Sequence, residues 1–73
     1  MNKTIHLKEY KQIVEKLKTA RKQARITQKE AALKLKKPQS YISKVEAGEQ
    51  RIDILELKEF SKLYRKDLNY FIK

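Results

Sequence analysis

Apolar residues recur along the chain at steps of three and four, the spacing of one face of an α-helix. From about Lys8 to Arg25 they fall at Tyr10, Ile13, Val14, Leu17, Ala20 and Ala24, which predicts a first helix with a single buried stripe. Arg21, Lys22 and Arg25 crowd its carboxyl-terminal end, where cations complement the helix dipole. Residues 1–6 are expected to be loose, with Ile5 and Leu7 as isolated apolar positions and His6 exposed. A second helix starts at Thr27. Thr27 and Glu30 form a Thr-x-x-Glu capping box, in which hydroxyl and carboxylate each satisfy an orphan backbone donor. Ala31, Ala32 and Leu35 mark its inner side, and it ends near Lys36 or Lys37 because Pro38 disfavours helical geometry in the residue before it.

Pro38 suits the opening of a third helix, where a missing N–H costs nothing. Ile42 and Val45 face inward, and Gly48 after Ala47 supplies a left-handed stop. That leaves a helix of about ten residues, roughly 15 Å long. A fourth runs from about Asp53 or Ile54 to Tyr64, with Asp53 as N-cap and Ile54, Leu57, Phe60, Ser61 and Tyr64 as its buried stripe, Leu63 at the edge. A short fifth spans about Asp67 to Ile72 and carries Leu68, Phe71 and Ile72. The expectation is one all-α domain over 1–73, a compact bundle of five short helices.

Composition narrows the function. With 73 residues the core is small, and a single Gly and a single Pro argue against a turn-rich β fold. No Cys and one His exclude a disulfide framework, a thiolate metal site and a His-based cluster, so no metal or other cofactor is expected. No apolar run approaches the ~18 residues of a membrane span, and no secretory signal pattern opens the chain. Lys and Arg total 19 against 9 Asp and Glu, a net charge of +10 that attracts polyanions, nucleic acid first among them. Residues 1–48 hold 13 basic and 4 acidic side chains, whereas 49–73 hold 6 and 5. The first two-thirds is thus expected to face the polyanion. No nucleophile–base pair appears, so enzymatic activity is not expected.

The pair of short helices from Gln28 to Ala47 is the informative stretch. Ala32 permits a close crossing, and Leu35, Ile42 and Val45 fill the angle between the helices, the pattern of a helix-turn-helix over 27–47 that offers its second helix to the major groove. The run TQKEAALKLKKPQSYISKVEAGEQR resembles the lambda-repressor and Cro-like helix-turn-helix family, also called xenobiotic-response-element-type regulators. The likeness continues through IDILELKEFSKLYRKDLNYFI, which is similar to that family's last two helices. Thr27-Gln28, Ala32, Ile42-Ser43-Lys44, Glu46 and Gly48 carry it.

The resemblance implies double-stranded DNA as partner, a role as transcriptional regulator, most simply a repressor, and a cytoplasmic setting of bacterial or phage type. Gln28 matches the glutamine that opens the family's second helix and holds a backbone phosphate there. The start of the third helix reads bases, which points to Gln39, Ser40 and Lys44. The chemistry agrees: Gln pairs bidentately with adenine, Lys with guanine acceptors, and Ser with several edges. Tyr41 and Ser43 flank that face, and Thr27, Lys29 and Lys37 lie near it, all as phosphate contacts. Arg21 and Glu46 match positions the family commonly joins in a structural salt bridge. The chain departs from the family twice. Lys36 stands where the turn usually has Gly, which costs about 1 kcal/mol if it takes positive φ. Ala47 and Glu49 replace polar and basic residues around Gly48, which shifts loop phosphate contact to Gln50 or Arg51.

The end of the chain, 66–73, is apolar for a small basic monomer. Leu68, Tyr70, Phe71 and Ile72 are expected to cap the core in part and to meet a second copy in part. A two-fold dimer sets two recognition helices ~34 Å apart and matches a palindromic operator. The competing reading is an antitoxin-like or inhibitor-type module whose main role is to bind another protein, such as a toxin. A peptide that binds anionic membranes through basic amphipathic helices is disfavoured by the defined caps and shared core.

Overall fold

The computed structural model describes residues 8–72. The expectations for Ile5, His6, Leu7 and the loose amino terminus lie outside them, as does Lys73. Five helices follow in order: α1 Lys8–Gln23, α2 Gln28–Leu35, α3 Gln39–Glu46, α4 Ile54–Tyr64 and α5 Leu68–Ile72. No strand occurs among the described residues, and no helix is long and apolar enough to cross a membrane. One core joins all five helices through Leu17 and Ala20, Ala31 and Ala32, Ile42 and Val45, Leu57, Phe60 and Tyr64, and Phe71. Ala20 and Ala31 are completely covered and Ala32 nearly so, which lets α1, α2 and α3 approach closely.

Helix starts are written locally. At α2 the Thr27 hydroxyl accepts from the Glu30 N–H at 3.0 Å while the Glu30 carboxylate accepts from the Thr27 N–H at 2.8 Å. Asp53 and Glu56 repeat the device at α4, with both bonds at 2.8 Å. Pro38 is the N-cap of α3 rather than its first helical residue, and it offers no side-chain acceptor.

Helix stops follow a common scheme with unusual residues. The first four helices each end in the paired 6→1 and 5→2 bonds of a Schellman motif, as in Glu49 N–H to Lys44 O and Gly48 N–H to Val45 O. The left-handed residue is Arg25 after α1, Lys36 after α2, Gly48 after α3 and Arg65 after α4. Lys36 does take positive φ, at 59°. A side chain there costs about 1–2 kcal/mol per residue, which the negative end of the helix dipole offsets in part for a cation.

Three expectations need correction. Ala24 is exposed, because α1 stops at Gln23 and the chain turns back at Arg25. Ile54 is 56% exposed, because the first turn of α4 projects past the core. Phe71, expected to be shared between core and partner, is only 1% exposed and belongs to the core. Ser61 is half-buried, and its hydroxyl donates to the Lys66 carbonyl at the end of α4.

Candidate nucleic-acid interface

α3 has two opposite faces. Ile42, Val45 and Glu46, spaced at i, i+3 and i+4, are buried. The complementary phase leaves Gln39, Ser40, Ser43 and Lys44 exposed. The outward set holds an amide, two hydroxyls and an ammonium, with no carboxylate among them, so it suits base edges and phosphates alike. The amides at the starts of α2 and α3 add donors: those of Gln28, Lys29, Gln39 and Ser40 precede the first intrahelical acceptors.

Glu46 fixes this helix to its neighbours. Its carboxylate accepts from Arg21 Nε at 2.6 Å, from Arg21 Nη2 at 3.1 Å and from Gln28 Nε2 at 3.0 Å. Arg21 Nη1 donates to the Ile26 carbonyl at 2.8 Å, which ties in the loop before α2. The side chains of Arg21 and Glu46 are 12% and 5% exposed, so the pair is nearly dry. The hydrogen bond from Arg21 to Glu46 holds the guanidinium in its charged form. Three helices thus meet at one carboxylate, and Gln28 is held against the middle of that arrangement.

The flanking residues divide. Thr27, Lys29 and Arg51 are exposed and Gln28 is half-buried. Arg51 sits in the loop after α3, which is pinned where the Tyr10 hydroxyl donates to the Gln50 carbonyl at 2.8 Å. Tyr41 is drawn out of the set. Its ring stacks on Phe60 at 6.2 Å and an interplanar angle of 9°, and burial together with Glu56, Glu59 and Asp53 pushes its hydroxyl pKa up. An acidic neighbourhood is a poor place for a phosphate. Lys37 leans the same way, 4.9 Å from the Tyr41 ring and 3.9 Å from Glu56.

Two further cations lie beside this face: Lys22, which the sequence marks only as a partner of the helix dipole, and Lys18, which no sequence pattern singles out. Lys18 and Lys22 line a shallow depression with Arg21, Gln28 and Ser43, beside the outward face of α3. They stand three residues before and one after Arg21. Once Arg21 is paired with Glu46, the helix period turns both towards α3, so the resemblance held the signal. Lys18 also lies 3.7 Å from Glu15. Among the described residues no group of three or more His, Cys, Asp or Glu is placed to hold a metal ion.

No curated protein and no solved structure matches the chain. A family model described as helix-turn-helix matches residues 17–71, from the middle of α1 through Phe71 in α5. That family is one of DNA-binding domains and not of enzymes. With most of the chain inside the match, the protein belongs to the lambda-repressor/Cro-like helix-turn-helix family and is a DNA-binding transcription regulator.

Proposed function

We propose that the protein is a sequence-specific repressor that binds a palindromic duplex operator as a homodimer, in the cytoplasm. The observation that carries this is the carboxylate-free outward face of α3, held rigidly from behind by Ile42, Val45 and the Arg21–Glu46–Gln28 cluster. Gln39, Ser40 and Lys44 read base edges. Thr27, Gln28, Lys29, Ser43 and Arg51 hold phosphates, with Lys37 a weaker contributor because Glu56 competes for it. Half-exposed Ile72, with the open sides of Leu68 and Tyr70, supplies apolar surface for a second copy.

Selection of bound duplexes from a random library, followed by sequencing, tests the reading. Two half-sites about 10 bp apart, centre to centre, are expected. Gln39→Ala is then expected to lose about 1–3 kcal/mol per half-site on the selected site and little on random DNA. Equal losses on both would remove Gln39 from base reading. A library that yields no enriched sequence would favour the module whose main role is to bind another protein.

A further inference from the structure

At the end of the molecule where α1, α2 and α4 finish, the chain encloses an open groove of ≈ 740 Å³. Lys34, Lys62, Arg65 and Lys66 line it, and no carboxylate does. Half-buried Ile26 and Leu63 add apolar surface to its wall. The adjoining depression shares Lys34, Lys62 and Leu63 and adds Lys36 and a single acid, Glu59. Lys66 rests 4.8 Å from the Tyr70 ring, a contact that leaves its charge uncancelled. The near-neutral sum of the last third of the sequence therefore conceals a concentrated basic site.

Helix dipoles account for part of this charge. Three helix carboxyl-terminal ends contribute at most about half a negative charge each, against four cations. A surplus of more than two positive charges remains, concentrated in a concave site.

We propose that this groove docks an acidic segment of a partner protein, one in which apolar side chains alternate with carboxylates. Two features favour a peptide over a phosphate backbone. The apolar wall has no counterpart on a phosphodiester chain. Lys34 also stands six residues beyond Gln28 on α2, about 9 Å along the axis and about 120° apart around it, so the groove opens on a different side from Gln28. The positive surplus of the groove is the same whether or not α3 reads DNA.

The test uses the full chain and a short fluorescein-labelled peptide in which Glu alternates with Leu, followed by anisotropy at physiological salt. A peptide with Ser in place of Leu serves as the charge-matched control. The Leu peptide is expected to bind more tightly. Lys34→Glu/Lys62→Glu is expected to weaken it by about tenfold, and Lys29→Glu/Lys44→Glu, with the same change in net charge, by far less. Equal losses in the two variants, or equal binding of the two peptides, would reduce the effect to general attraction and overturn the proposal. Duplex binding is expected to persist in the groove variant. If it falls as far as in the Lys29/Lys44 variant, the groove is a phosphate site and the proposal fails. Amide NMR shifts on the unmodified protein give a reading that needs no variant: changes centred on residues 62–66 and 23–26 support the groove, and changes centred on α3 refute it.

Discussion

Removing the buried Glu46 carboxylate should be among the most damaging single changes to a charged residue. Glu46→Ala deletes the acceptor of three N–H bonds and leaves Arg21, whose side chain is 12% exposed, as a cation with only the Ile26 carbonyl for company. An orphaned charge of this kind costs about 3–5 kcal/mol. At 73 residues the whole domain is expected to hold about 4–11 kcal/mol of stability. The variant thus sits near the edge of folding, with Tm lowered by roughly 10–40 °C. The reason is desolvation of the survivor, not the intrinsic strength of the bond, and a double-mutant cycle separates the two. Arg21→Met with Glu46→Leu replaces the pair by apolar side chains of similar size. It should fall within about 1–2 kcal/mol of the parent, much less than the two single losses combined. Urea unfolding followed by helical circular dichroism measures all four proteins. A Glu46→Ala loss below about 1 kcal/mol, or a double variant as unstable as the sum of the singles, would show that the cluster is not desolvated.

Three further outcomes can be checked on the same protein. Lys36→Gly relieves a left-handed residue at φ 59° and is expected to stabilise by about 0.5–1 kcal/mol; an unchanged or lower urea midpoint would refute the strain. The Tyr64 hydroxyl is buried without a hydrogen-bond partner, so Tyr64→Phe should hold or raise stability by up to about 1 kcal/mol, and a loss above that would reveal an unseen partner. Burial and Glu46 also push the Tyr64 pKa up from 10.0, so the folded state binds that proton more tightly than the unfolded one. The associated stability is complete below pH 10, is lost as pH rises above it, and the loss should be smaller in Tyr64→Phe; identical alkaline unfolding curves would contradict this. Lys22→Gln takes two phosphate contacts from a bound dimer and is expected to reduce the slope of log affinity against log salt by about 1.8 with the selected sequence unchanged, and an unaltered slope would remove Lys22 from the phosphate contacts.

The five helices were legible because their boundaries depend on residues close in sequence. Thr27 with Glu30, Asp53, and Gly48 each act within one turn, so the chain states these limits without reference to anything distant. The ends of α1 and α4 were less plain. Arg25 and Arg65 take the left-handed conformation with no chemical mark of it, since an arginine side chain has nothing that favours positive φ. Such a residue is imposed by where the next helix must pack. Ile54 and Ala24 lie exposed on otherwise buried stripes for a related reason: periodicity assigns a face, but only the core decides how far along a helix that face stays covered.

The interface was legible where it depends on helix phase and hidden where it depends on side chains meeting across helices. Gln39, Ser40 and Lys44 follow from the positions of Ile42 and Val45 alone, because the two sets occupy complementary phases of one helix. Tyr41 shows the limit. Its phase puts it on the rim, where a phosphate contact or a core contact is equally open to it, and Phe60, nineteen positions further on, decides between them by offering a ring to stack on. Once the ring has turned, its hydroxyl enters the field of Glu56, Glu59 and Asp53, and Lys37 follows its charge in the same direction. The acidic residues of α4 thereby remove one hydroxyl and weaken one cation on that edge, while Lys18 and Lys22 supply positive charge near the other edge, beside Gln28 and Ser43. The basic surface is therefore displaced towards the α1 side of α3, and a duplex seated on it should make more of its phosphate contacts on that side than near α4.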